Sequence, residues 1–284
     1  MYMHWQTSKR RLSCSHPLVM GILNVTPDSF SDGGRYRDLD AALGHAEQMI
    51  AEGADIIDIG GESTRPGSLP VAADVEMGRV VPVIEAIVKS FDIPISVDTT
   101  KAAVAAEAID AGAEIINDIS GLRFDRMIAG VAAESGAGLI LMHSRGTFGT
   151  LHSQPPVDDI LDEVSRDFQR AIDAAREHGV EDAQIALDPG IGFGKTREQN
   201  LELIENLDKL AGEFAAYPFT VGTSRKSFLT SIVGDVPPAE RLEGSLVTAM
   251  IAVRNGAKIV RVHDVKETVA ALRVAAKVDG HLMN

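Results

Sequence analysis

The sequence predicts an α/β protein whose strands close into a single parallel (β/α)8, or TIM, barrel. Three observations predict it. Short apolar runs alternate with longer amphipathic stretches along the whole 284-residue chain, the order that βαβ units require. The runs are continuously apolar, as in Ile56-Ile57 and Ile115-Ile116, which suits strands covered by helices on their outer face. Run after run also ends in polar residues: Asn24, Glu62-Ser63-Thr64-Arg65, Asp98, Asn117-Asp118, His143, Asp188, Ser224-Arg225-Lys226 and Arg261-Val262-His263-Asp264. In a barrel these ends converge on one catalytic face.

Taken in order, strands are expected at 18–24, 55–60, 94–99, 114–119, 138–143, 184–188, 219–222 and 259–263. Helices are expected near 38–52, 72–90, 101–111, 125–135, 158–178, 197–214, 239–255 and 266–277. Three strands share an entry of one form: Gly53-Ala54-Asp55-Ile56-Ile57, Gly112-Ala113-Glu114-Ile115-Ile116 and Gly256-Ala257-Lys258-Ile259-Val260. In each, glycine can end the preceding helix in a left-handed conformation before the strand begins. Pro82 is expected to split the second helical region by starting a new helix. Ile160, Val164, Phe168 and Ile172 form a stripe at helical spacing, read as packing onto the barrel. The long connections, 25–37, 61–71 and 144–157, are expected to be mobile and to lie at the catalytic end.

A net charge of −14 and a pI near 5.0 argue against a general nucleic-acid binder or a basic membrane-surface protein. They leave room for a phosphate ligand held by a few positioned cations and N–H groups. No apolar run reaches the roughly 18 residues of a membrane span. Lys9-Arg10-Arg11 resembles a signal-peptide n-region, but the residues after it form no hydrophobic region. Residues 1–17 therefore read as a loose leader, 18–284 as the barrel domain, and the compartment as cytoplasmic. The single cysteine, Cys14, excludes an intramolecular disulfide and reads as a surface thiol.

Asp98 and Asp188 each close an apolar strand, where a lone Asp is usually a cap. Joined by Asn117 and Lys226 at other strand ends, they offer two carboxylates, an amide and an ammonium to a planar heterocycle. Phosphate in barrels is often held after the last two strands. Here those segments are Gly222-Thr223-Ser224-Arg225-Lys226-Ser227 and Arg261-Val262-His263-Asp264, and Ser63-Thr64-Arg65-Pro66-Gly67 adds a hydroxyl and a guanidinium. Together they point to a substrate bearing phosphate or diphosphate. No metal-ligand spacing and no Ser-His-Asp arrangement is evident.

Gly21-Ile22-Leu23-Asn24-Val25-Thr26-Pro27-Asp28-Ser29-Phe30-Ser31-Asp32-Gly33-Gly34 closely resembles the first signature of the dihydropteroate synthase family. Asp58-Ile59-Gly60-Gly61-Glu62-Ser63-Thr64-Arg65-Pro66-Gly67 resembles its second. Asp188-Pro189-Gly190-Ile191-Gly192-Phe193-Gly194-Lys195, Ser224-Arg225-Lys226-Ser227 and Arg261-Val262-His263-Asp264-Val265 continue the match in order. The resemblance implies a pterin-binding barrel. It implies an enzyme that joins 6-hydroxymethyl-7,8-dihydropterin diphosphate to 4-aminobenzoate and releases pyrophosphate, with Mg²⁺, as a homodimer open to sulfonamides. It implies that Asp98, Asn117, Asp188 and Lys226 hold the pterin, and that Arg261 and His263 bind the diphosphate, with Arg261 also stacking on the pterin. Asn24 falls at the diphosphate and its Mg²⁺. Thr64, Arg65 and Pro66 fall beside the aminobenzoate, with Phe193, Lys226 and Ser227 lining that site. Phe30 and Asp32 fall on a first mobile loop. Met142 and Gly222 fit the pattern as substrate contacts, whereas Ser144-Arg145-Gly146-Thr147 and Thr223 depart from it. The expected catalytic residues are Asp98, Lys226, Arg261 and His263. Two alternatives stand: a non-catalytic pterin-binding paralogue, and a pterin-dependent methyltransferase domain. Pyrophosphate release with both substrates separates the enzyme from the non-catalytic reading, and the methyltransferase has no need of the diphosphate loops.

Overall fold

In a computed structural model that describes residues 3–26, 35–65 and 67–278, eight parallel strands close into a barrel. They are β3 (Leu18–Asn24), β4 (Ile56–Gly60), β5 (Ile95–Asp98), β6 (Ile115–Asp118), β7 (Gly138–Met142), β8 (Ile185–Asp188), β9 (Phe219–Val221) and β10 (Ala257–Val262). β10 pairs with β3 to complete the ring. The outer layer holds α1 (Arg35–Glu52), α2 (Ala73–Ser90), α3 (Ala102–Asp110), α4 (Met127–Ser135), α5 (Ile160–Glu177), α6 (Arg197–Glu205), α7 (Leu207–Glu213), α8 (Thr230–Val233), α9 (Leu242–Arg254) and α10 (Val265–Val278).

Alternation along the strands divides the core in two. Residues such as Ile57, Ile59, Ile95, Val97, Leu139, Leu141, Ile185 and Leu187 pack with the helices in one large cluster. Met20, Ile56, Ile115, Ile140, Ala186 and Ile259 form a separate cluster with Trp5 that fills the barrel. The stripe on α5 is buried as expected. Gly53, Gly112 and Gly256 take φ of 102°, 114° and 112°, so the shared entry form has one conformational cause.

Four expectations need correction. First, within the expected leader the described residues 3–17 are not loose. Within them β1 (His4–Gln6) and β2 (Arg11–Ser13) pair as an antiparallel hairpin across the lower mouth of the barrel. Trp5 is fully buried, and its Nε1 donates to the Gln184 carbonyl at 2.7 Å. Arg10 pairs with Glu114 at 2.8 Å, and Thr7 Oγ1 donates to the same carboxylate at 2.8 Å. Second, Cys14 is buried rather than on the surface, and burial pushes its thiol up to about 11, which makes it unreactive. Third, Pro82 lies inside α2 without dividing it. The buried positions Val80, Val83, Ile84 and Ile87 run past it on one face, so packing offsets the lost backbone bond. Fourth, the expected helix at 197–214 breaks at Asn206, whose φ of −108° and ψ of 22° are not helical. There Asn255 Nδ2 donates to the Ile204 and Glu205 carbonyls at 2.8 and 3.0 Å, terminating α6.

Candidate active site

The parity that fills the lower barrel with apolar side chains delivers polar ones one layer higher. Ile56 is followed two residues on by Asp58, Ser96 by Asp98, Ile115 by Asn117, Ala186 by Asp188 and Ile259 by Arg261. Strand register then sets neighbours: Asp98 lies beside Asn117, Met142 beside Asp188, and Asn24 beside Gly60, which itself lies beside Asp98.

Arg261 organises this layer. Its Nε donates to Asp58 Oδ2 at 2.6 Å and its Nη2 to Asp98 Oδ2 at 2.7 Å. Asn117 Nδ2 donates to Asp58 Oδ2 at 3.3 Å. Burial disfavours the Arg261 cation, but Asp58 and Asp98 outweigh it and hold its pKa above the ordinary value. Asp98 is pushed up to about 7, chiefly by burial, against the pull of Arg261 and with help from the Asp58 charge. Asp188 is also raised by burial, although Lys226 and the Gly190 N–H, at 2.7 Å, favour its ionised form. Burial lowers Lys226 to about 8, against the attraction of Asp188. Among the described residues, Asp58 Oδ1, Ser96 Oγ and Thr220 Oγ1 are buried without a hydrogen-bond partner. Such groups are costly unless a ligand or water meets them.

Asp58 is a residue that sequence reasoning missed. It stands inside a strand and not at its end, so the pattern of polar strand ends does not single it out. The available signal was a carboxylate at an interior-facing position between Ile57 and Ile59.

The loops after β8 and β9 complete one wall. Asp188 and the following turn are fixed by Gly190, at φ 66°, where any Cβ would overlap the His143 carbonyl. Lys226 Nζ donates to the Ile191 carbonyl and lies 4.8 Å from the centre of the Phe193 ring. Arg225 takes a left-handed φ of 60°, which turns Lys226 inward. That strained residue is held by Ser245 Oγ at its N–H (2.9 Å) and by Arg241 Nη1 at its carbonyl (3.0 Å). Its guanidinium forms a two-pronged pair with Asp264 at 2.5 and 3.1 Å. Arg225 is thus engaged within the protein and is not a spare phosphate ligand.

His263 lies next to Ser224, with Nδ1 3.1 Å from Ser224 Oγ. Burial, with Arg225 and Arg261 nearby, lowers it to about 3, so at neutral pH it acts as a polar group and not as a charge. Gly222 is buried beneath Arg261: a Cβ there would lie 3.6 Å from Arg261 Cβ. Met142 is buried with Ile119 and Leu151 in a small cluster against which Phe193 packs. Ser227 is exposed at the start of a 3-10 turn, at the edge of this group.

The loop after β4 carries Thr64 and the exposed Arg65. Its base is clamped: Glu62 Oε1 accepts from the Val71 N–H at 2.7 Å and from Lys101 Nζ at 2.9 Å, while Lys101 also donates to buried Glu76 at 2.6 Å. Pro66, and Phe30 and Asp32 of the first long loop, lie outside the described residues. The departure at 144–147 is built into the site's frame. Arg123 donates to Ser144 Oγ and the Gly146 carbonyl at 2.7 and 2.9 Å, and Arg145 donates to the Gly194 carbonyl at 2.9 Å.

The geometry gathers donors and acceptors for a flat, hydrogen-bonding ring deep in the barrel, with cations at its rim. The family described as "Pterin binding enzyme" matches residues 20–263. The chain is 51% identical over 250 residues to the dihydropteroate synthase of Bacillus subtilis, covering 88% of this chain and 84% of that one. It superposes with a TM-score of 0.91 and 40% identity on Xanthomonas albilineans dihydropteroate synthase solved with 4-aminobenzoic acid, covering 98% of each chain. It superposes with a TM-score of 0.90 and 46% identity on the Yersinia pestis enzyme in complex with a sulfonamide drug, covering 97% and 99%. The chain therefore belongs to the dihydropteroate synthases, the transferases of folate biosynthesis within the pterin-binding enzyme family.

Proposed function

We propose that the polar layer of the barrel binds 6-hydroxymethyl-7,8-dihydropterin diphosphate and that 4-aminobenzoate enters above it, between the loops carrying Thr64 and Phe193. The observation that carries this reading is the convergence of Asp58, Asp98, Asn117, Asp188, Lys226 and Arg261 from separate strand ends, linked through Arg261. Asp188 accepts from the donors of the aminopyrimidine edge, and Asn117 and Lys226 serve the remaining polar atoms of the ring. Arg261 stacks on the pterin and faces the diphosphate with His263. Arg65, Pro66 and Ser227 lie at the mouth with Thr64 and Phe193, while Met142 and Gly222 shape the floor.

The reaction breaks the bond between the pterin methylene carbon and the diphosphate oxygen, whose electron pair leaves with the diphosphate. The arylamine nitrogen forms the new bond to that carbon and then loses a proton. Asp98, close by and sharing Arg261, stabilises positive charge at the methylene as the leaving group departs. An arylamine is a competent nucleophile, so no strong general base is required.

For Mg²⁺ the donor set fits. A Cβ on Gly60 would sit 3.7 Å from both Asn24 Oδ1 and Asp98 Oδ2, so the missing side chain leaves a small recess lined by hard oxygens. Among the described residues no cluster of three or more His, Cys, Asp or Glu could hold a metal alone. That suits an ion taking one or two protein oxygens and the rest from substrate phosphates. Asn24 would hold it, with Asp98 adjacent; when bound, Mg²⁺ supplies charge neutralisation to the leaving diphosphate.

We also assign a homodimer through α9 and α10, where Val247, Ile251, Val274 and Val278 are 58, 41, 64 and 83% exposed. Sedimentation at micromolar concentration tests this. No helix among the described residues is long and apolar enough to cross a membrane, and we place the protein in the cytoplasm.

The deciding experiment measures pyrophosphate release with pterin diphosphate, 4-aminobenzoate and Mg²⁺, omitting each in turn. Turnover should require all three, and sulfonamides should compete with 4-aminobenzoate. Tight pterin binding without release would identify a non-catalytic binder.

A further inference from the structure

His152 lies in the long connection after β7, outside every motif noted above, yet it touches two other segments. Its Nε2 is 2.7 Å from the Thr64 carbonyl, on the loop after β4. Its Nδ1 is 3.0 Å from the Gly192 carbonyl, on the loop after β8. Its ring lies 5.4 Å from that of Phe193, which Lys226 of the loop after β9 also approaches at 4.8 Å. The residue before it, Leu151, is buried with Met142 and roots the imidazole in the barrel mouth. One side chain thus joins the loops on either side of the arylamine entrance.

We propose that His152 is a positioning residue for the arylamine subsite: it fixes the Thr64 carbonyl and the Gly192-Phe193 turn at one separation, and so sets the slot in which the aminobenzoate ring lies. The proposal rests on the assignment of that subsite to Thr64, Phe193 and Lys226. Both of its polar partners are carbonyls, so only a donor serves here. The imidazole donates to both only when both ring nitrogens carry a proton, and to one of them otherwise, whereas a carboxamide offers two N–H from a single nitrogen. His152→Gln therefore preserves the tie between the loops, while His152→Phe preserves the ring contact and loses the donors.

The test is steady-state kinetics on His152→Ala, His152→Gln, His152→Phe and Phe193→Ala. In His152→Ala the KM for 4-aminobenzoate should rise about tenfold, the effect of roughly one net hydrogen bond. Its kcat and its KM for pterin diphosphate should stay within about twofold of wild type, because the polar layer at Asp188 is untouched. His152→Gln should restore the arylamine KM to within about threefold, and His152→Phe should remain as weak as alanine. An unchanged arylamine KM in His152→Ala, beside a raised one in Phe193→Ala, overturns the positioning role and leaves the subsite standing. No change in either variant overturns the subsite assignment and this proposal with it. An equal rise in both substrates' KM, or failure of His152→Gln to rescue, also overturns the proposal, since general loosening of the loops would then explain the data.

Discussion

The two mouths of the barrel treat their polar side chains differently. At the lower mouth the hairpin's groups close on the protein itself. Glu114 takes Arg10 and Thr7, Trp5 donates to Gln184, and Lys9 donates to the Gly112 carbonyl at 2.7 Å. Higher in the barrel Asp58, and beneath the polar layer Ser96 and Thr220, keep buried side-chain atoms with no protein partner, and Arg261 gathers the carboxylates of Asp58 and Asp98 on one cation. On the proposed function the difference separates stability from function within one fold: satisfied polar groups lock a structure, and groups without a protein partner are open to a ligand or water.

The largest way to test that division is at the lower mouth. Trp5→Ala should lower unfolding free energy by about 3–5 kcal/mol. It should leave the KM for both substrates within about twofold of wild type, since Trp5 lies at the opposite end of the barrel from Asp188. Urea unfolding beside steady-state kinetics decides it, and a large KM change would mean the two mouths are coupled.

The converse change is Asp188→Ala. It should weaken pterin diphosphate binding by about 10- to 150-fold, because ligand donors lose a charge-assisted partner. The barrel should remain folded by circular dichroism, since burial already disfavours the ionised Asp188. Unchanged affinity by calorimetry would remove this carboxylate from the pocket.

The smallest expected effect is a slope. Asp98, pushed up to about 7 by burial, holds a proton in the folded chain that the unfolded chain releases near 3.8. Its contribution to stability is therefore present below 3.8 and is lost as pH rises through about 7. His263, lowered to about 3, acts in the opposite sense: its contribution is present above 6.5 and is lost as pH falls. Whole-protein curves mix the two, so the measurement is the difference between Asp98→Asn and wild type. The variant should gain relative stability from pH 5 to pH 8 in urea titrations. An equal difference at both values would mean that Asp98 ionises as an ordinary surface carboxylate.

The strands were legible because each ends where hydrophobicity ends, and Asp98, Asn117 and Asp188 could be selected on that pattern alone. Asp58 escaped it by standing two residues before its strand's end at Gly60. His152 escaped it because its partners are backbone carbonyls in loops 40 and 88 positions away, which no local spacing encodes. Charge on Arg225 suggested phosphate, yet Asp264 engages it, a pairing visible only once β9 and β10 are adjacent. The hairpin was hidden by a mixed sequence whose apolar members, Trp5 and Leu12, find burial only against the finished barrel.

That dependence on the finished barrel gives the hairpin a place in time. It is the earliest paired element in the chain, but Trp5 reaches its carbonyl partner 179 residues later, at Gln184. At roughly 5–20 residues per second, a ribosome needs on the order of ten to forty seconds between the two. Throughout that interval the indole has no seat. Trp5 is also the single tryptophan of the chain. Its fluorescence is therefore a built-in clock for ring closure, reporting when the lower mouth seals and not when the first strands collapse.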